Sequence, residues 1–151
     1  MTLEDKINVI YNWVMAKKGE QQIDICDAYE PTYAELAEEV LTKIGMSRSL
    51  AGFRYIAWAA GVVADNEEAL NNIVKGLYTD GAERFNITSK SFERGIRHAL
   101  DSALRDNEHP APEAVRIFGD GTSISNLSNK AFLATLAAEV KKRKRQHKFD
   151  I

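Results

Sequence analysis

Apolar and charged positions along this chain recur with a helical rather than a strand period. The pattern is clearest over residues 85–104. There Phe92, Ile96, Ala99 and Ala103 follow one another at i, i+4, i+7 and i+11, while Lys90, Arg94, Arg97 and Asp101 repeat that spacing on another face. One residue turns a helix by about 100°, so Arg94 lies roughly opposite Phe92. The segment therefore predicts a helix with one side for a core and another for a polyanion.

The rest of the chain reads as further helices. Residues 2–18 carry a stripe of Leu3, Ile7, Ile10 and Val14, widened by Val9 and Trp13, with Thr2 and Asp5 at its start and Gly19 as its stop. Residues 20–31 (EQQIDICDAYEP) read as a short extended segment or a linker ended by Pro31. Thr32 and Glu35 form a capping box for a helix over 32–44, with Leu36, Val40 and Ile44 inward and Gly45 as the stop. A third helix over 48–63, with Phe53, Ile56, Trp58, Ala60 and Val63, is apolar enough to be central despite Gly52 and Gly61. A fourth, over 66–77, assigns Leu70, Ile73, Val74 and Leu77 to the core.

A short helix over 79–85, a turn and the helix over 88–104 together suggest a helix-turn-helix, with an ordinary helical hairpin as the alternative. Ala82 is the small residue that lets the two helices approach, and Asn86 tolerates the left-handed turn. Thr88 or Ser89 caps the second helix, leaving its first amides directed toward phosphate. Residues 106–127, with two prolines and several glycine and polar clusters, read as a loop holding one short helix over 113–118. Ser128 caps the last helix, which buries Phe132, Leu133, Leu136 and Val140 and runs into KKRKRQHK. Lys141, Lys142, Arg143, Lys144, Arg145 and Lys148 of that run are either a grip on phosphates or a frayed, solvated terminus.

Composition narrows the class. The 151 residues suffice for one principal domain with a small appendage. No apolar run approaches the roughly 18–20 residues that span a bilayer, and the N-terminus lacks a signal-peptide pattern, so a cytoplasmic protein without membrane contact is expected. The single cysteine, Cys26, has no CxxC partner, and no metal site or cofactor is expected. His98 and Asp101 sit three apart without a companion nucleophile or metal-ligand spacing, so no catalytic residue is assigned and an enzyme is not expected. Charge is uneven. Residues 1–80 hold 7 Lys+Arg against 13 Asp+Glu, and residues 81–151 hold 13 against 9, which concentrates positive charge with the two-faced helix and the C-terminus.

The segments IGMSRSLAGFRYIAWAAGVV, IVKGLYTDGAERFNITSKSFERGIRHAL, RIFGDG and SNKAFLATLAAEV, in this order and spacing, resemble the C-terminal DNA-binding effector domain of the master sporulation response regulator of endospore-forming bacteria. The resemblance covers about residues 33–147. Its most specific part holds Tyr78, Phe85, Asn86, Glu93, Arg94, Ile96, Arg97 and His98. It implies an all-α, six-helix effector domain containing a helix-turn-helix, here over 32–148 with the basic tail; the amphipathic helix and linker over 1–31 precede it as an extra element. It further implies binding of double-stranded DNA through the major groove, often as adjacent copies in tandem; a homodimer and a contact to the transcription machinery are further expectations.

Thr88, Ser89, Lys90 and Ser91, at the start of the helix, are assigned to DNA binding with the first three anchoring the backbone; on the resemblance Glu93 and Arg94 meet base edges and Arg97 meets phosphate. Arginine bonding bidentately to guanine and glutamate accepting from cytosine N4 suit those roles. His98 is expected to be a half-buried packing residue. Two departures stand out. The 31 residues before the matching region cannot hold a receiver domain, so no phosphoreceiver control in cis is expected. The family usually has arginine and a small aliphatic where Ser91 and Phe92 stand, which bears on the preferred DNA sequence. The expected function is a sequence-preferring DNA-binding transcriptional regulator; the alternative is a protein-interaction module or antagonist that retains the fold.

Overall fold

Thr32 opens the first helix of the computed structural model, which describes residues 30–149. Its hydroxyl accepts from the Glu35 amide at 3.1 Å while the Glu35 carboxylate accepts from the Thr32 amide at 3.1 Å, the reciprocal box expected from the sequence. Helix α1 (Tyr33–Lys43) buries Leu36, Ala37, Val40 and Leu41. It ends in a Schellman arrangement, with Gly45 at φ 90° and the amides of Gly45 and Met46 reaching back to the carbonyls of Thr42 and Leu41. The helix expected over 2–18 and nearly all of the linker lie outside the described residues.

Helix α2 (Ala51–Asp65) is the central element, packed against α1 and against the helices over 89–100 and 129–149, and nine of its residues are buried. After it the expected fourth helix is replaced by a 3₁₀ turn (Glu67–Asn72) and a wider π-type turn (Ile73–Tyr78). Asn66 caps the first by accepting from the Glu68 amide at 3.2 Å, and Asn72, at φ −139° and ψ 60°, breaks the run between them. Neither turn keeps 3.6 residues per turn, and of the four residues assigned to the core Val74 is the one that fails. Leu77 is buried, Leu70 and Ile73 are half-buried, and Val74 is 63% exposed.

Helices α3 (Thr79–Phe85) and α4 (Ser89–Leu100) follow, the latter prolonged by a π-type turn over Asp101–Arg105. The segment read as a loop holds α5 (Pro112–Phe118), opened by proline in its first turn, and a second short helix that the sequence reading missed, α6 (Gly121–Ser125). Asp120 caps α6 by accepting from the Ser123 amide, and Ile124 anchors it in the core. Helix α7 (Asn129–Phe149) starts where Ser128 accepts from the Ala131 amide at 3.0 Å, and Phe132, Leu133, Leu136 and Val140 are fully buried. All described residues are helix, turn or loop, and no strand occurs among them.

The basic run belongs to α7 rather than to a frayed end. Lys141 donates to Glu67, Arg143 donates to Glu113 at 2.8 Å and to Glu139 at 3.2 Å, and Lys144 reaches the Pro31 carbonyl at 3.0 Å from above the Tyr33 ring. Arg116 of α5 joins the same carboxylates, at 2.6 Å from Glu113 and 3.0 Å from Glu139. The Glu113 carboxyl is held below its ordinary range, chiefly by the hydrogen bond from Arg116. For Glu139 burial pushes upward, but the bonds from Arg116 and Arg143 prevail and its value is also lowered. Lys141, Arg143 and Lys144 thus serve to fasten α7 to the body of the domain.

Candidate nucleic-acid interface

The interface is built from the turn between α3 and α4. Asn86 adopts the left-handed conformation (φ 57°, ψ 49°), and the Ile87 amide returns to the Ala82 carbonyl at 2.9 Å, closing α3. Thr88, extended at ψ 158°, then caps α4 by accepting from the Ser91 amide at 3.0 Å. Its own hydroxyl lies 3.0 Å from the Ser91 hydroxyl and donates to it. Ser91 is thereby part of the cap.

The inward face matches its periodicity: Phe92, Ile96 and Ala99 are fully buried and Ala103 nearly so. The Phe92 ring sits among Tyr55, Trp58, Tyr78 and Phe85, with centroids 5.1, 5.8, 5.8 and 6.1 Å away. Such offset and edge contacts add to the burial of the ring itself. The close approach of α3 depends on Gly81 as well as Ala82, because a Cβ at Gly81 would stand within 2.7 Å of three atoms of the Phe92 ring. A second close approach joins α2 to α4: a Cβ at Gly52 would meet the Gly95 carbonyl and come within 2.7 Å of the Ala99 Cβ, while one at Gly95 would meet the Tyr55 ring at 2.7 Å. A glycine inside an otherwise helical pattern is the sequence signal for such crossings.

The far end of α4 is held by Arg105. Its guanidinium donates to Asp101 at 2.6 Å, to the Leu127 carbonyl at 3.1 Å, to the Arg97 carbonyl at 3.3 Å and to the Asn129 side chain at 3.4 Å. Asn129 in turn donates to the Tyr78 hydroxyl at 3.4 Å, and burial pushes the Tyr78 phenol above its usual value. Asp101, placed by periodicity on the polar face, is therefore engaged in fastening α4 to α7. Neither this role nor that of Arg105 is visible without the tertiary contact.

Of the residues assigned to the interface, Thr88, Lys90, Ser91, Arg94 and Arg97 are exposed, and Ser89 and Glu93 are half-buried. Glu93 and Arg97, one turn apart, stand at 3.7 Å as an ion pair. Among the described residues neither Lys90 nor Arg94 has a charged partner, so both cations remain available at the surface. His98 is exposed, against the half-buried position expected of it, because at about 240° from Phe92 around the helix it falls outside the buried arc. Among the described residues no group of His, Cys, Asp and Glu is arranged to hold a metal, and no helix is long and apolar enough to cross a membrane.

An all-helical core carrying a tight α3–turn–α4 unit, with a left-handed Asn at the turn and a capped, two-faced second helix, defines a helix-turn-helix domain. The model of the family described as sporulation initiation factor Spo0A C terminal matches residues 37–140, from the first turns of α1 to the last buried residue of α7. The chain belongs to that family. Its members are DNA-binding domains and not a class of enzyme.

Proposed function

We propose that this protein is a sequence-preferring transcriptional regulator that inserts α4 into the major groove. The observation that carries the reading is the division of α4 into a fully buried arc centred on Phe92 and Ile96 and an outward arc holding two cations, Lys90 and Arg94, with no charged partner. Thr88, Ser89 and Lys90 position the helix start on the sugar-phosphate backbone, with Ser91 completing the cap that orients it. Arg94 reads a guanine edge, Glu93 accepts from a cytosine, and Arg97 contacts phosphate after yielding its pairing with Glu93. Adjacent copies on tandem boxes, and a contact to the transcription machinery, complete the proposed setting.

Fluorescence anisotropy against a box selected in vitro and against a random duplex tests this. Arg94→Ala should cost about 1–3 kcal/mol on the selected box and relax preference at one base pair, while Lys90→Ala should weaken both duplexes alike and lower the salt slope by about 1. Absence of duplex binding at low salt refutes the proposal.

A further inference from the structure

The recognition helix has an uneven rim. Around its axis the arc that faces α2 is made by Ser91, Gly95 and His98, at about 260°, 300° and 240° from Phe92. None of these carries a permanent charge, and the Ser91 hydroxyl is already joined to Thr88. A duplex seated on the outward arc of Lys90, Arg94 and Arg97 would therefore meet no cation from α4 along this edge. Helix α2 runs beside that same edge. Gly52 abuts the Gly95 carbonyl, and three residues later Tyr55 stacks on Phe92 and meets Phe85 at 4.8 Å. One turn further Trp58 packs edge-on against Phe85 at 6.3 Å and Phe92 at 5.8 Å. The stretch 52–58 thus passes from the middle of α4 to the turn in front of its N-terminus.

On the outer side of that stretch stand Ala51, Arg54 and Trp58, at i, i+3 and i+7, of which Ala51 and Arg54 are exposed and Trp58 half-buried. The Arg54 guanidinium carbon lies 6.0 Å from the centroid of Phe85, the last residue before the left-handed Asn86. A cation held over an aromatic face at an exposed site is only weakly tethered. Among the described residues Arg54 has no carboxylate partner, in contrast to Arg48, which stands 3.7 Å from Glu38. Its charge is therefore placed beside the helix-turn-helix, its guanidinium held loosely over Phe85 and bound to no carboxylate.

We infer that Arg54, outside the helix-turn-helix, is a DNA-backbone contact: it takes a phosphate on the α2 side of the recognition helix, the edge that α4 leaves without a cation. The inference rests on the DNA-binding reading above. A guanidinium presents several donors in a planar fork that fits phosphate oxygens, and a backbone contact of this kind fixes how the helix is seated without reading sequence. Together with Lys90 it brackets the start of α4 with cations from two different helices, which limits rocking of the helix about its own axis in the groove.

The test is anisotropy with the full chain on a selected box and on a random duplex, over a salt series, for wild type, Arg54→Gln, Arg54→Lys and Lys90→Gln. Arg54→Gln should weaken both duplexes by the same factor and reduce the salt slope by about 0.9, so that the wild-type advantage shrinks roughly eightfold for each tenfold rise in salt concentration. Arg54→Lys should retain the slope. The urea midpoint of Arg54→Gln should stay close to the wild-type value, since the side chain is exposed and its contact with Phe85 is weak. If wild type binds, Lys90→Gln lowers the slope and Arg54→Gln does not, this inference is overturned while DNA binding stands. A loss confined to the selected box would overturn it as well, because it would make Arg54 a base reader. If wild type binds neither duplex, the DNA reading and this inference fall together.

Discussion

The packing of Gly81 against Phe92 gives the sharpest prediction, because it makes two substitutions that are each destabilising for opposite reasons. In Gly81→Ala the new Cβ would stand within 2.7 Å of three Phe92 ring atoms, where carbon atoms rest at about 3.5–4.0 Å. The ring would have to withdraw by about 1 Å, and Tyr55, Trp58, Tyr78 and Phe85 leave it nowhere to go. Overpacking of this kind costs about 1–3 kcal/mol, offset by at most about 1 kcal/mol of improved helix propensity in α3. Phe92→Ala alone empties a fully buried site and should cost about 3–5 kcal/mol. In the double variant the obstacle is gone, so the alanine at position 81 becomes neutral or stabilising, and the cycle should show a favourable coupling of about 1–3 kcal/mol. Urea unfolding of the four proteins, followed by far-ultraviolet circular dichroism, measures it. Effects that add to within about 0.5 kcal/mol would refute the claim that Gly81 is retained for the Phe92 ring.

Two further outcomes follow from the polar contacts. Arg105→Met should lower stability by about 2–3 kcal/mol, read as a shifted urea midpoint, because it leaves half-buried Asp101 and two carbonyls without their donor; an unchanged midpoint would show that the fastening of α4 to α7 is idle. Acid should loosen α5 from α7: Glu113 and Glu139 have folded-state values below the ordinary carboxylate range, so their contribution is present above that range and is lost as pH falls through the lowered values. The Glu113→Gln, Glu139→Gln variant should therefore lose less stability than wild type between about pH 5 and pH 3, as measured by thermal unfolding across that window.

These contacts also separate what could be read early from what could not. The capping box at Thr32 and Glu35, the bounds of α3, the left-handed Asn86, a cap at Thr88 or Ser89 and the inward arc of α4 were all legible. Each depends on neighbours within a few residues, and backbone sterics and helical geometry act at that range. The family resemblance was legible for the same reason that it is specific: it rests on an ordered string that includes the turn. Local rules misled where the chain leaves the 3.6-residue period. Over 66–77 the apolar spacing counted Val74 as core, yet the break at Asn72 turns it to solvent.

By itself the sequence determined that the chain is helical, where most helices begin and end, and which face of α4 is turned inward. The tertiary structure alone decided which glycines are points of contact, that Ser91 belongs to a cap, and that Lys141, Arg143 and Lys144 of the C-terminal run are bound to Glu67, Glu113, Glu139 and Pro31. It also decided that Arg54 stands beside the turn before α4. Propensity and periodicity are properties of a segment, whereas the partner of a charge or the neighbour of a missing Cβ is supplied by residues far away in the chain, and only packing brings them within reach.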